Sequence, residues 1–331
     1  MLDLSAIVPR LQSLGQARQK FLAFASLIVL MLVFTALKPG VFLTQDNLIG
    51  ILQSTTVIGV LAIASTFIII TSGIDLSVGV LMTFCSVMAG VFLVNLGMPL
   101  PLGIVCAVMM GCLSGCLSGL AITRLGVPPF IATLGMMMLL KGLSLIITGT
   151  RPIYFNDVEG FDQIALGSIM GQWLPGLPIP NGVLIMFLVA LVCAGVLNKT
   201  ALGRYTFALG SNEEAVRLSG VNVNRWKVII YAFSGGICGI AGLLIASRLN
   251  SAQPALGQGY ELDAIAAVVI GGTSLSGGVG TITGTIIGAF IMSVLINGLR
   301  IMSVAQEWQM VLTGVIIILA VYTDNLRRNK L

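Results

Sequence analysis

Long stretches without a charged side chain constrain this chain more than any other feature of its sequence. The longest covers residues 76–123, and the others are 21–37, 47–74, 125–140, 163–198, 228–247, 264–299 and 308–323. A helix that crosses a bilayer needs about 20 mostly apolar residues. Lipid cannot accept backbone hydrogen bonds, so a series of such runs predicts spanning helices. Only 9% of the residues are charged, which excludes a soluble enzyme and a disordered chain.

We predict an all-α polytopic membrane protein with about ten transmembrane helices. The run 76–123 holds two of them, because a turn-forming sequence lies between Asn95 and Gly103. The number of spans in 262–299 is open by one or two, since a glycine- and serine-rich stretch, 271–278, interrupts it. The predicted spans are 21–38, 47–70, 77–96, 101–122, 129–149, 181–198, 226–247, 262–279, 281–299 and 308–324.

The basic residues predict the orientation. With a cytoplasmic N-terminus, 12 of the 17 Lys and Arg residues fall on the inner side, as the positive-inside rule requires. The chain then divides into a cytoplasmic segment 1–20, a membrane domain 21–325 and a cytoplasmic tail 326–331. Orientation accounts for the net charge of +5, and no basic soluble face is left to bind nucleic acid.

Catalytic chemistry and metal binding are not indicated. The chain has no histidine, which removes histidine-based triads and metal sites. Its six cysteines lie inside apolar runs without zinc-type spacing, so they read as small buried side chains. We therefore predict no catalytic residue, no metal site and no intramembrane enzyme.

Two glycine stripes predict close helix packing. Gly111, Gly115 and Gly119 are four residues apart, and so are Gly280, Gly284 and Gly288. Residues at this spacing share one helix face, where glycine lets two backbones approach closely. The alternative is a surface on which helices slide during a conformational change.

Two short segments resemble each other and predict a weak internal two-fold repeat. Residues 75–79 (Asp-Leu-Ser-Val-Gly) and 274–278 (Ser-Leu-Ser-Gly-Gly) both follow β-branched apolar runs. Paired broken segments are typical of a transport path, although a match this short also arises by chance. The candidate path residues, which include charges in apolar surroundings, are Asp75, Ser77, Lys141, Glu261, Asp263, Thr273 and Ser274.

The charged path candidates also have simpler interpretations. Asp75 precedes an apolar run and fits a helix N-cap. Glu261 and Asp263 fit the first turn of a helix, where the helix dipole favours carboxylates. Lys141 could extend its ammonium group to the membrane surface, as long basic side chains do.

The most polar stretch between two predicted spans is 199–227. Ser211 or Asn212 can cap a short helix that has Glu213 and Glu214 in its first turn and ends at Gly220. A connection of this length is unusual and favours a functional loop over a plain connector.

This loop carries a family resemblance. Glu214-Ala215-Val216, followed after three residues by Gly220, is similar to the coupling motif of ABC-importer permeases, with Val216 in place of its second alanine and without its downstream Ile-x-Leu-Pro part. Over about 40–330 the chain resembles the ribose-type (monosaccharide) ABC permease family. The matching stretches are 71–79, 129–134, 202–205, 217–224, 251–254 and 259–275.

The resemblance implies a multi-pass permease of the bacterial inner membrane, acting with three kinds of partner. These are a second permease subunit that forms a homodimer, a cytoplasmic ATPase that binds ATP and Mg, and a periplasmic or surface protein that delivers the sugar, with D-ribose as the first choice. The ATPase contact would then be made by Glu213, Glu214, Ala215, Arg217 and Gly220. No Gly-Lys dipeptide occurs, so the chain has no P-loop and no cofactor of its own.

Two further expectations concern the outer loop and the energy source. The loop 150–180, with three acidic residues and Trp173, is predicted to help dock the sugar-binding protein; the alternative is a structured cap without a partner. An ion-coupled secondary transporter is the competing function. That function predicts carboxylates in the middle of spans, whereas most acidic residues here lie at span ends.

Overall fold

The computed structural model describes residues 4–173, 176 and 178–328, and this part of the chain is mostly helical. Two short strands, β1 (Ile153–Tyr154) and β2 (Ser251–Ala252), pair in antiparallel register. The helices of the described part are α1 (Leu4–Leu37), α2 (Gln45–Ile70), α3 (Val78–Gly90, extended by a π-helical turn Val91–Asn95), α4 (Leu100–Arg124), α5 (Pro129–Thr148), α6 (Ile169–Trp173), α7 (Asn181–Lys199), α8 (Ala201–Leu218), α9 (Val223–Leu249), α10 (Tyr260–Ile270), α11 (Ile282–Ile301) and α12 (Gln306–Arg328).

Within the described residues, seven helices are long and apolar enough to cross a membrane. They are α2, α3 with its π-helical turn, α4, α5, α7, α9 and α11. Two shorter apolar stretches, Phe21–Leu37 in α1 and Gln306–Leu319 in α12, coincide with the first and last predicted spans. The prediction of a spanning helix over 262–279 is wrong. Helix α10 stops at Ile270, because the backbone turns at Gly271 and Gly272, where Gly272 has φ +94°.

Helix α1 begins at Leu4, so one continuous helix covers most of the predicted segment 1–20 and the first predicted span. Residues 329–331 of the predicted tail lie outside the described part.

Helix α2 is the centre of the bundle. Every residue from Thr55 to Ile70 is buried, and the helix packs against α7, α9, α10 and α11. A helix that is apolar on all sides is expected in such a position. Thr66 bonds both to its own backbone and to α11, whereas the buried Ser65 hydroxyl has no hydrogen-bond partner among the described residues. The hydroxyl oxygens of Thr66 and Thr285 are 2.7 Å apart, and Ser234 donates to the Ala64 carbonyl oxygen at 3.1 Å.

The first glycine stripe packs α4 against α9. A Cβ atom at Gly111 or Gly115 would overlap a backbone carbonyl of α9, that of Gly235 or Tyr231 respectively. Gly119 lies against the backbone of Val228. Only glycine allows the two helices to approach this closely.

The second stripe is shorter than predicted. Gly284 and Gly288 face the backbone of Gly271 and Ala267, so they pack α11 against the end of α10. Gly280 does not belong to this helix, since α11 begins at Ile282 and Thr281 caps it by accepting from the Gly284 N–H. Gly280 lies instead in the preceding loop, close to the side chains of Ile70 and Thr273.

The described residues of the loop 150–180 form a structured cap over α9. Strand β1 pairs with β2, which directly follows α9, and the rings of Phe155 and Phe161 stack with centroids 4.0 Å apart. The buried Ser247 hydroxyl at the end of α9 donates to the Phe161 carbonyl oxygen and accepts from the Ala165 N–H. These bonds fix the cap to the bundle.

Candidate functional site

The polar stretch between α7 and α9 is more helical than the sequence suggests. Helix α8 begins at Ala201 and has one non-helical residue, Asn212, with φ −162° and ψ 98°. The part before this kink packs against α2, α7 and α9, with Thr206 and Leu209 buried. Sequence reasoning missed this half, because its mixed polar and apolar residues resemble a loop.

The part after the kink is the short helix that the sequence predicts. The Oδ1 atom of Asn212 accepts a hydrogen bond from the Ala215 N–H at 2.9 Å, so Asn212 rather than Ser211 is the N-cap. Gly220 has φ +83° and follows the helix end, as an αL C-terminal glycine does. We name residues 212–220 the coupling element.

One ion pair ties the coupling element to the base of α9, and a second lies within the element. The carboxylate of Glu213 lies 3.2 Å from the Arg217 guanidinium and 2.7 Å from the Lys227 ammonium. Lys227 lies on α9, and sequence reasoning did not select it. Because these pairs are partly exposed, they fix the direction of the element more than they stabilise the fold.

The opposite face of the coupling element is open. Val216 lies on the inner face of the element and is buried, whereas Glu214, Ala215 and Leu218 are exposed, and Leu218 is 80% exposed. Among the side chains that the structure describes, none forms an ion pair with Glu214. An exposed leucine beside a free carboxylate is a suitable docking surface for another protein.

The cap of the coupling element makes a testable prediction. Asn212→Ala is expected to destabilise residues 213–218 by about 1 kcal/mol, because the side-chain bond to the first turn is lost. The amides of this turn should then exchange roughly five times faster with deuterium, measured by mass spectrometry. Asn212→Asp keeps an acceptor and should exchange at the wild-type rate. Equal exchange in all three proteins would contradict the assignment of the cap.

Asp75 and Glu261, two of the predicted path residues, bond locally at the starts of helices. Asp75 is buried, and its Oδ1 accepts from the backbone N–H of Ser77 at 2.7 Å and from its hydroxyl at 2.6 Å. Glu261 is also buried, and its Oε2 accepts from the Gly259 N–H at 3.0 Å. Glu261 therefore has the predicted first-turn role, whereas the N-cap of α3 is Ser77 and not Asp75, which bonds to Ser77 from the loop before the helix. Asp263 follows in the first turn of α10 and is only partly buried.

Lys141 binds a residue that the sequence did not indicate. Its Nζ donates to the Gln258 Oε1 at 2.8 Å, which joins the middle of α5 to the non-helical segment 253–259. The lysine is partly buried, and its ammonium group is held at the level of this segment. Gln258 directly precedes Gly259, so Lys141 and Glu261 converge on the start of α10.

Residues just before the first broken segment contact the second broken segment. Ser72 donates to the Ser276 carbonyl oxygen at 2.7 Å, and the Gly278 N–H donates to the Ile70 carbonyl oxygen at 2.9 Å. Thr273 is fully buried with no hydrogen-bond partner for its hydroxyl, and the adjacent Ser274 N–H donates to Val279. Lys141, Glu261 and Asp263 thus lie at the start of α10 and Thr273 and Ser274 at its end, whereas Asp75 and Ser77 precede α3.

The chain is similar to known transport proteins over most of its length. A family model described as the permease component of a branched-chain amino acid transport system matches residues 47–321. The chain belongs to this permease family. The ribose import permease protein RbsC of Escherichia coli K12 is 42% identical to the permease over 303 residues, which cover 91% of this chain and 92% of the relative. No solved structure matches the chain.

Other relatives of the permease are also named for sugars. The ribose import permease protein RbsC of Bacillus subtilis is 40% identical over 307 residues, with 92% of each chain covered. The fructose import permease protein FrcC of Rhizobium meliloti is 38% identical over 325 residues, covering 95% of this chain and 89% of the relative. The predicted likeness to ribose-type permeases is confirmed, and these relatives are permeases rather than enzymes.

Proposed function

We propose that this chain is the membrane-spanning subunit of an ATP-driven importer that carries a monosaccharide across the bacterial inner membrane by alternating access. D-ribose is the first candidate for the sugar. The observation that carries the proposal is the similarity to ribose import permeases over nine-tenths of both chains. The seven apolar helices that could cross a membrane agree with it.

The proposal assigns each partner to a surface. A cytoplasmic ATPase, which binds ATP and Mg²⁺, docks on the coupling element; Glu214, Ala215 and Leu218 touch it, while Glu213 and Arg217 orient the element from within the chain. A second copy of the permease completes the path. A sugar-binding protein docks on the outer cap, where Tyr154 and Trp173 are exposed.

The proposed topology has about ten membrane crossings, a weak two-fold repeat and both termini in the cytoplasm. It counts the shorter apolar stretches of α1 and α12 as crossings and α10 with its flanking segments as a broken one. The likeness of residues 75–79 to 274–278 is the basis for the repeat. The excess of basic residues on the inner side supports the orientation.

An ion-coupled carrier is less consistent with the site. Such a carrier uses carboxylates that bind and release the ion inside the membrane. The carboxylates of Asp75 and Glu261 instead accept hydrogen bonds at the starts of α3 and α10. They stabilise local backbone, and no carboxylate in the middle of a span remains for coupling in the described part.

Reconstitution tests this function. Proteoliposomes containing the permease and its ATPase, loaded with ATP and supplied outside with the sugar-binding protein, are expected to accumulate radiolabelled ribose. Removing any one of ATP, ATPase or binding protein should stop uptake, and a non-hydrolysable ATP analogue should not replace ATP. Uptake driven by a proton or sodium gradient without ATP would contradict the proposal. Competition with unlabelled fructose and xylose measures the sugar preference.

A further inference from the structure

Three distant parts of the chain meet next to the coupling element. They are the end of α2 at Ile70 with Ser72, the last residues of α8 before its kink, Gly210 and Ser211, and the glycine pair 277–278 between α10 and α11. We name this contact the junction. It joins the coupling element to the two loops 72–77 and 271–281, which hold the path candidates Asp75, Ser77, Thr273 and Ser274.

The junction is built from backbone in close contact. A Cβ atom at Gly210 would overlap the Ile70 carbonyl oxygen and lie 2.6 Å from the Gly278 nitrogen. A Cβ atom at Gly278 would lie 2.8 Å from the Ser211 Oγ. Gly277 and Gly278 have φ of +84° and +74°, which residues with side chains rarely adopt. A displacement of α8 at Gly210 towards Ile70 and Gly278 therefore presses directly on both segments.

Ser72 holds an unusual position in the junction. Its φ is +62°, in the left-handed region that non-glycine residues seldom occupy. This conformation places its Oγ 2.7 Å from the Ser276 carbonyl oxygen and 3.5 Å from the Gly210 carbonyl oxygen. A hydroxyl has one proton to donate, so it binds one of these acceptors at a time. In this structure it binds Ser276 and locks the two loops together.

We propose that the junction transmits the movement of the coupling element to the membrane-embedded loops, and that Ser72 is the positioning residue that couples them. When α8 moves about 0.7 Å towards Ser72, the Gly210 carbonyl oxygen comes within ordinary hydrogen-bond distance and competes for the proton. The bond to Ser276 is then released, and the bond from the Gly278 N–H to the Ile70 carbonyl oxygen remains as the backbone link between the two segments. This inference rests on the proposed function, because it requires that force enters through the coupling element.

The test measures how much ribose is imported for each ATP hydrolysed, in the reconstituted importer described above. Ser72→Ala and Ser72→Gly both remove the hydroxyl, and Ser72→Gly also suits the left-handed backbone. Both variants are expected to hydrolyse ATP at the wild-type rate but to import at least five times less ribose per ATP. The side chain of Ser72 is exposed, so neither change leaves a cavity.

Thr71→Ala is the matched control, since this neighbouring hydroxyl donates only to Ile68 within its own helix. It should keep the wild-type ratio of ribose to ATP. Gly210→Ala provides a second variant and should also lower the ratio, because its methyl group separates α8 from Ile70.

The possible outcomes separate the two proposals. A wild-type importer that shows no ATP-dependent ribose uptake would refute the proposed function itself. A wild-type importer that works, with an unchanged ribose-to-ATP ratio in both Ser72 variants, would overturn the role of the junction alone. A ratio that falls equally in Thr71→Ala would also overturn it, since the loss would then not depend on the bond between the loops.

Discussion

Replacing Gly115 with valine is expected to remove most of the folded permease from the membrane. Gly115 lies where α4 crosses α9, and any Cβ atom there overlaps the Tyr231 carbonyl. The helices must move apart, and the packing of the neighbouring Gly111 against Gly235 is lost with it. Overpacking of a side chain costs about 1–3 kcal/mol, and the cost is larger when the obstacle is backbone. Fluorescence-detected size-exclusion chromatography of detergent extracts measures the amount of folded protein.

Gly142→Val is the matched control for this substitution. Gly142 lies inside α5, another candidate spanning helix, and a Cβ atom there meets nothing within 4 Å. This variant should yield folded protein at the wild-type level and unfold at a similar temperature. Equal losses in both variants would show that glycine itself, rather than the α4–α9 contact, determines stability.

Replacing Leu218 with aspartate is expected to weaken binding of the ATPase at least ten-fold and to lower ATP-dependent ribose uptake by a similar factor. The side chain is 80% exposed on the coupling element, so the change does not disturb the core. In the proposed complex it is an apolar anchor, and loss of such an anchor costs about 2 kcal/mol or more. A charge beside Glu214 also adds repulsion towards any acidic group on the partner. Titration of the labelled ATPase into permease nanodiscs measures the affinity.

Leu125→Asp is the control for surface charge. Leu125 is 76% exposed and follows α4, whose Gly119 lies against Val228 near the start of α9, but it lies outside the coupling element. It should retain ATPase affinity. Wild-type affinity in Leu218→Asp, or an equal loss in Leu125→Asp, would contradict the assignment of the coupling element as the docking surface.

Short-range features of the coupling element could be predicted from the sequence. A cap at Ser211 or Asn212, acidic residues in the first turn and a terminal glycine are interactions between residues a few positions apart. The exposure of Leu218 could not be predicted, because it depends on how α8 is rotated against α2, α7 and α9. The pairing of Glu213 with Lys227 also depends on the angle between the element and α9.

The candidate path residues likewise have local interactions that the sequence predicts and distant contacts that it does not. The first-turn role of Glu261 follows from its position before an apolar run, and the structure has it. The predicted cap at Asp75 is displaced by two residues, because α3 begins at Val78 and Ser77 is its N-cap. Lys141 stood out by its apolar surroundings, but its partner Gln258 is 117 residues away and has no local signal. Ser72 and Gly210 are ordinary residues in the sequence, and only their contact across 138 positions makes them notable.

By itself, the sequence determined that this protein is helical, lies in a membrane and packs through glycine. The physical reason is that a bilayer leaves long uncharged runs few alternatives, and glycines four residues apart share one helix face. Only the tertiary structure decided where helices stop and which segments meet. Helix α10 ends at Ile270, where the backbone of Gly271 lies against that of Gly284 in α11. Gly210 contacts the backbone of Ile70 and of Gly278, which are distant from it in the sequence. Such contacts depend on the arrangement of the whole bundle, which local hydrophobicity does not specify.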